Sequence, residues 1–260
     1  MIDLHSHLLP FVDDGAEDWD HARIALETVA RAGVRTATAS PHILGSLTGD
    51  PAALRGRLAE LDEVWPDFLA LAAAAVPGVS VVRAAEVMLD RPGVDLSDPR
   101  LRLDGTRFAL VEFPYMSVPP RSVETLHALR RDGWTPVVAH PERYRGVSRL
   151  LEIAGEWRRV GAVLQVNAGS LLGAYGQQPK ASALLLLRAG LVDVIASDYH
   201  ARGPFLSPAA RAFLQQDHRA PAALLDALFV VNPGRLLEGR DPEPVGPLPP
   251  RVPRWKRMFR

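Results

Sequence analysis

Residues 1–15 read MIDLHSHLLPFVDDG. His5 and His7 alternate around Ser6, and Asp13 and Asp14 follow close behind. Side chains two apart on an extended strand share a face. The spacing therefore predicts that His5 and His7 point together, with Ile2 and Leu4 facing the other way. Such a pair is either a polar strand end or half of a cation site, and the later strand ends decide between the two.

Six further stretches have strand character: RTATAS (35–40), VSVVRAAEV (79–87), RFALVEF (107–113), TPVVAH (135–140), AVLQVNA (162–168) and LVDVIAS (191–197). Helical patterns lie between most of them. Residues 17–33 carry Trp19, Ala22, Leu26 and Val29 at helical spacing, with Gly33 as the stop. Asp50 and Pro51 suit the N-cap and first position of a second helix, which Pro66 is expected to end. Two more patterns end at Gly133 and Gly190. Alternating strands and helices with short turns predict an α/β domain with a parallel sheet, and seven such units predict closure into a barrel.

Most of these strands end in an imidazole or a carboxylate. ASPH delivers His42, RAAEV Glu86, ALVEF Glu112, VVAH His140, and ASDYH both Asp198 and His200. In β/α barrels functional groups collect at the C-terminal ends of the strands. One such residue means little, but repetition on most strands predicts a metal site. The donors are nitrogen and oxygen only, which suits Mn, Fe, Zn or Mg, and eight of them imply two or three ions, with a carboxylate bridge. A barrel opening with H-x-H also fits an amidohydrolase bridged by a carboxylated lysine. The only lysines, however, are Lys180, beside a loop, and Lys256, near the end, whereas the middle strands carry Glu86 and Glu112. His21, His127 and His218 fall in helical patterns and are expected to stand outside the site.

Composition narrows the chemistry. The 260 residues include no cysteine, which excludes disulfides, thiolate metal sites and a cysteine nucleophile. Thirty basic residues balance thirty acidic ones, so charge makes no case for nucleic acid. No basic stretch followed by an apolar run opens the chain, and no apolar run is long enough to span a bilayer, so a soluble cytoplasmic protein is expected.

The stretches MIDLHSHLLPFVDDGA (1–16), SPH (40–42), AEV (85–87), VEFP (111–114), HPERY (140–144), QVNAGSLLGAYG (165–176), GLVDVIASDYH (190–200) and NPGRLLEG (232–239) together resemble the PHP (polymerase and histidinol phosphatase) superfamily. More closely, they resemble the bacterial PHP-type protein-tyrosine phosphatases of capsule and exopolysaccharide operons. The resemblance implies a distorted (β/α)7 barrel over residues 1–240 with a trinuclear site, often manganese. It implies His5, His7, His42, Glu86, Glu112, His140, Asp198 and His200 as metal ligands, and Asp14 and Arg143 acting on the phosphate ester. Arg202 is the candidate for a second phosphate-binding arginine, at a shorter spacing than the family's. The implied substrate is a phosphotyrosine protein such as a bacterial tyrosine kinase. A phosphatase for a small phosphomonoester such as histidinol phosphate, or a non-catalytic binding module, is the alternative. Ile43 stands where the family often has a second histidine, and Tyr199 where it usually has a small residue.

Asp13 is expected to serve structure, and Gly15 to permit the turn that aims the acids. Asn167 and Ser170 either orient the site or cap the following helix. From residue 241 the chain turns Pro-rich and is expected to run as an extended tail (241–260) outside the core. Its last ten residues, RVPRWKRMFR, place five basic residues beside Trp255, Met258 and Phe259, a composition suited to weak contact with an anionic membrane surface.

Overall fold

The computed structural model describes residues 1–145 and 149–250. Its strands are β1 (Ile2–Asp3), β2 (Thr36–Ala39), β3 (His42–Leu44), β4 (Ser80–Arg83), β5 (Glu86–Met88), β6 (Phe108–Glu112), β7 (Thr135–Ala139), β8 (Val163–Asn167) and β9 (Val194–Ala196). All pair in parallel, in the orders β1-β2-β4 and β3-β5-β6-β7-β8-β9.

The two sheets are parts of one barrel. β2 and β3 form a single stave broken at Ser40–Pro41, where proline has no N–H for a ladder. β4 and β5 form another, broken at Ala84–Ala85. Pairing persists across both breaks, because Ala84 N donates to Ala39 O (3.0 Å) and Glu86 N to Pro41 O (3.0 Å). The ring closes where Ser6 bridges Tyr199, with Asp198 N donating to His5 O and His7 N to Tyr199 O, each at 2.8 Å. Asp3 adds to the closure by accepting from the Ser197 amide (2.7 Å) and hydroxyl (2.6 Å). Counted this way the barrel has the expected seven staves.

Period-two alternation builds a layered interior. β6 turns Phe108 and Leu110 inward below Glu112, while Ala109 and Val111 pack outward. Val137, Ala139, Val163, Val194 and Ala196 complete the apolar floor, which Leu103 and Leu236 close from below. Leu4 belongs to this floor too. The expectation that it faces away from the histidines is therefore corrected. Regular strand geometry stops at Asp3, so the alternation resets before His5.

Helices α1 (Trp19–Arg31), α2 (Pro51–Ala75), α3 (Ser122–Arg131), α4 (Leu150–Arg159), α5 (Ala168–Leu172), α6 (Gln177–Arg188), α7 (Ser207–Asp217), α8 (Ala222–Asp226) and α9 (Asn232–Leu237) surround the barrel together with short 3-10 turns and a π-helical turn over Ala227–Val231. Asp50 caps α2 as expected, accepting from Ala52 N (2.9 Å) and Ala53 N (3.1 Å). Pro66 does not end α2, which continues to Ala75. Proline inside a helix costs about 3 kcal/mol. Pro66 lies on the exposed side, and Phe68 and Ala72 beyond it are buried, so continuing the helix buries surface that stopping would expose.

The segment after residue 240 has no regular secondary structure, but it is not outside the core. Leu248 is 3% exposed, and its amide donates to Leu187 O at 2.9 Å. Asn232 holds Glu243 at both ends, donating to its carbonyl (3.0 Å) and accepting from its amide (2.7 Å). Burial of Leu248, these backbone bonds, a bond from Arg235 Nε to Asp241 O (2.6 Å) and the Arg107–Asp241 ion pair (2.7 Å) attach this segment. Residues 251–260, with the basic aromatic motif, lie outside the described residues. Among the described residues no helix is long and apolar enough to cross a membrane.

Candidate metal centre

The eight predicted ligands meet at the C-terminal mouth of the barrel. His5 and His7 follow β1, His42 opens β3, Glu86 opens β5, Glu112 ends β6, His140 follows β7, and Asp198 and His200 follow β9. Three overlapping groups could each hold a cation: His5, His7, Glu86 and Asp198; His42, Glu86 and Glu112; and His7, Asp14, His42 and His200. His140 joins through Glu86 (Nε2–Oε1 3.0 Å) and Glu112 (Nε2–Oε2 3.9 Å). Glu86 is fully buried and central. Its Oε2 lies 3.0 Å from His5 Nε2, 3.4 Å from His7 Nε2 and 3.2 Å from His42 Nδ1.

These residues bring their donor atoms close enough together to hold cations. His5 Nε2 and His7 Nε2 lie 3.2 Å apart, each also within 3.5 Å of Glu86 Oε2 and Asp198 Oδ1. Glu86 Oε2 and His42 Nδ1 are buried without an aligned hydrogen bond. Buried polar atoms left this way cost about 1–3 kcal/mol each. A divalent cation satisfies several at once, so the donor set fits one.

Charge follows the same geometry. Burial by itself lowers the His5 pKa, but the Glu86 and Asp198 carboxylates reverse this and raise it to about 9. His7 is likewise raised well above its ordinary value against the effect of burial, by Asp13, Asp198 and Glu86. Burial opposes ionisation of Glu86 and Asp198, yet His5 and its neighbours hold both below the usual carboxylate range. His200 is lowered, by burial first and then by His7.

Behind the ligands lies a layer of orienting groups. Asp13 Oδ2 is 2.7 Å from His7 Nδ1 and accepts from His42 N at 3.2 Å, while its Oδ1 accepts from Gly15 N at 3.0 Å. Gln165 Oε1 is 2.9 Å from His5 Nδ1, and Gln165 Nε2 donates to Asn167 Oδ1 at 2.8 Å. Asn167 Nδ2 donates in turn to Asp198 Oδ2 at 2.7 Å. This carboxylate–imidazole and amide–imidazole pairing is how proteins fix the orientation of metal ligands. It resolves the alternatives for Asn167, whose side chain orients the site and makes no capping bond to α5. Gln165 and Glu142 were not singled out from the sequence. Gln165 carried a signal, a polar residue inside the apolar strand VLQVN on the same face as Asn167. Glu142, fully buried and accepting from Asn167 N at 2.9 Å, carried none. His140 and Asp198 both have left-handed backbones, at φ 39° and 54°. Strain of this kind persists where surrounding structure enforces it.

The remaining predicted residues ring the mouth. Arg143 Nη1 donates to Asp198 Oδ2 at 2.5 Å, and its guanidinium stacks on Tyr175, 4.2 Å from the ring centroid. The Asp14 side chain is 65% exposed, with Oδ1 3.5 Å from His42 Nε2 and 3.4 Å from His200 Nε2, so it belongs to the outermost ligand group. Arg202 donates to Asp14 O and is 59% exposed at the rim. Ile43 turns into the core as His42 turns to the site, as neighbours on a strand must. Tyr199 packs edge-on against Phe205, away from the site. His21, His127 and His218 belong to none of the three groups, and Lys180 lies in α6 over the Phe213 ring rather than beside a loop.

Fold and site together define a parallel β/α barrel with His, Asp and Glu clusters able to hold metal ions at its mouth. The chain belongs to the CpsB/CapC family of capsular polysaccharide synthesis, whose model matches residues 1–238. It is 35% identical over 202 residues, 77% of each chain, to the tyrosine-protein phosphatase YwqE of Bacillus subtilis (strain 168). It is 27% identical over 251 residues, 91% of this chain and 98% of the other, to the tyrosine-protein phosphatase CpsB of Streptococcus pneumoniae. The fold matches a crystal structure from work on these two proteins, described as unique metal-dependent tyrosine phosphatases, with a TM-score of 0.73 at 29% identity. That match covers 97% of this chain and all of the other.

Proposed function

We propose that this chain is a metal-dependent protein-tyrosine phosphatase. Its substrate is a phosphotyrosine protein, in our reading a bacterial tyrosine kinase controlling capsular or exopolysaccharide synthesis in the cytoplasm. The observation that carries this is the convergence of eight nitrogen and oxygen ligands beside an arginine at the edge of the cluster. With no cysteine in the sequence, the thiolate route to tyrosine dephosphorylation is closed.

His5, His7, His42, Glu86, Glu112, His140, Asp198 and His200 hold two or three divalent ions, manganese in our assignment. Bound divalent ions supply Lewis-acid stabilisation of phosphoryl oxygens and lower the pKa of water. The residues of the chain do the rest. Arg143 gives one N–H to Asp198 and has others for the phosphoryl oxygens. Tyr175 keeps its guanidinium flat. Asp14, open to solvent at the mouth, protonates or orients the leaving oxygen, and Arg202 holds the Asp14 backbone. A phenol of pKa near 10 leaves readily, so little protonation is needed.

The test compares turnover of a phosphotyrosine peptide with that of histidinol phosphate, with several metals, with chelator, and after thiol alkylation. Metal-dependent, alkylation-insensitive hydrolysis favouring the phosphotyrosine peptide is expected. Full activity with chelator present refutes the metal role, and a strong preference for histidinol phosphate refutes the tyrosine assignment. Metal content of Asp14→Asn separates a ligand role for Asp14 from a proton-transfer role.

A further inference from the structure

Arg143 belongs to two features at once. Besides bonding Asp198 at the metal centre, it lines a cleft of about 450 Å³ together with Met116, Arg145, Tyr175, Gln177 and Pro179. That volume is within the range of about 300–1,000 Å³ typical of ligand sites.

The cleft is built on fixed walls. Ser117 and Arg145 form a parallel bridge, and Arg145 N donates to Met116 O at 2.8 Å, so the two walls are tied through backbone. Tyr175 forms the boundary with the metal centre. Its ring lies under the Arg143 guanidinium, and its phenol is pushed up to about 12 by burial and then by Asp198, so it stays neutral at working pH. Among the described residues the lining contains two arginines, amides, a phenol and apolar groups, but no acidic side chain. Arg143 is paired with Asp198 through one N–H. Arg145 is exposed and, among the described residues, makes no ion pair. A cation left unpaired in an acid-free cleft complements a negative charge on whatever enters.

Arg143 thus stands between the ligand cluster and the cleft, and the cleft opens beside whatever group the cluster holds. We propose that this cleft receives the peptide segment flanking the phosphotyrosine, and that Arg145 selects a carboxylate there. This rests on the phosphatase reading above and adds to it a preference for acidic sequence next to the modified tyrosine.

The test uses the full-length, metal-loaded protein. Four probes are compared: p-nitrophenyl phosphate, and three phosphotyrosyl peptides of equal length with alanine flanks, glutamates N-terminal to the tyrosine, or glutamates C-terminal to it. One acidic peptide is expected to exceed the alanine peptide by about three- to fivefold in kcat/KM, through KM, as for a partly exposed ion pair. Added salt should reduce the difference. Arg145→Gln should bring the ratio to about one, and Arg145→Lys, which keeps the charge, should retain part of it. Equal kcat/KM for all three peptides in the wild type overturns the subsite while the phosphatase reading stands. An acidic preference that survives Arg145→Gln overturns the assignment to Arg145. Absence of turnover of all four probes overturns the phosphatase reading and the subsite with it.

Discussion

Gly15→Ala puts a methyl group where the backbone leaves no room. A Cβ at this position would lie 2.2 Å from His7 O, 2.6 Å from His7 Cβ and 2.8 Å from His7 C. None of these atoms is the far end of a flexible side chain, so His7 itself must move. Restoring van der Waals contact of about 3.4 Å to the carbonyl oxygen requires a displacement of about 1 Å. That also stretches the bond from Ala16 N to His7 O, now 3.2 Å. Overpacking of this kind costs about 1–3 kcal/mol. The larger effect is on chemistry, because His7 belongs to two of the three ligand groups. A misplacement of about 1 Å in a reacting constellation costs about 100-fold in rate. We expect Gly15→Ala to lose metal in elemental analysis and about 100-fold in aryl phosphatase activity, with Tm lowered by about 2–4 °C per kcal/mol. Gly33→Ala is the control. Gly33 has φ 78° but nothing within 4 Å of an added Cβ, so it should lose about 1 kcal/mol of stability and keep metal and activity. Normal metal content and rate in Gly15→Ala would refute the claim that this contact sets the position of His7.

Gln165→Leu removes the partner of His5 Nδ1 and leaves Asn167 Oδ1 unpaired, so metal affinity or activity should fall about 10- to 100-fold with the fold retained, as read by metal titration and circular dichroism. Metal binding should tighten as pH rises through neutrality toward about 9, because His5 and His7 of the metal-free protein hold protons that ligation must displace. Calorimetry in buffers of different ionisation heat should show proton release, and affinity unchanged between about pH 6 and 8 would contradict the raised histidines. Pro66→Ala should raise Tm with kinetics unaltered, since the helix already runs through this exposed position; a lowered Tm would show that the proline itself is needed for packing. Full-length protein should bind anionic vesicles at low salt more strongly than a truncation ending at Leu248, and equal co-sedimentation would dismiss a membrane role for RVPRWKRMFR.

Most of the candidate ligands were legible because they end or follow short apolar runs with period-two alternation, whereas His42 and Glu86 open the strands that resume after the stave breaks. His5 and His7, or Asp198 and His200, suggest a shared direction by spacing, although both pairs lie beyond the regular strands and Asp198 has φ 54°. Capping was equally local: Asp50 needs only the amides two and three residues on, and Gly33, Gly133 and Gly190 need only their own positive φ. What the tertiary structure decided is whatever depends on residues distant in sequence. Pro66 reads as a helix end until the burial of Phe68 and Ala72 is counted, and Leu248 reads as tail until Leu187 O is found beside its amide. Gln165 becomes an orienting group only when barrel closure brings β8 beside His5, 160 residues away in sequence. Glu86 is central for the same reason, since contacts from three other staves converge on its carboxylate. Local patterns report the direction of a side chain relative to its own backbone. Which atoms then share a few ångströms is set by how seven staves wrap around one axis, and no stave carries that information alone.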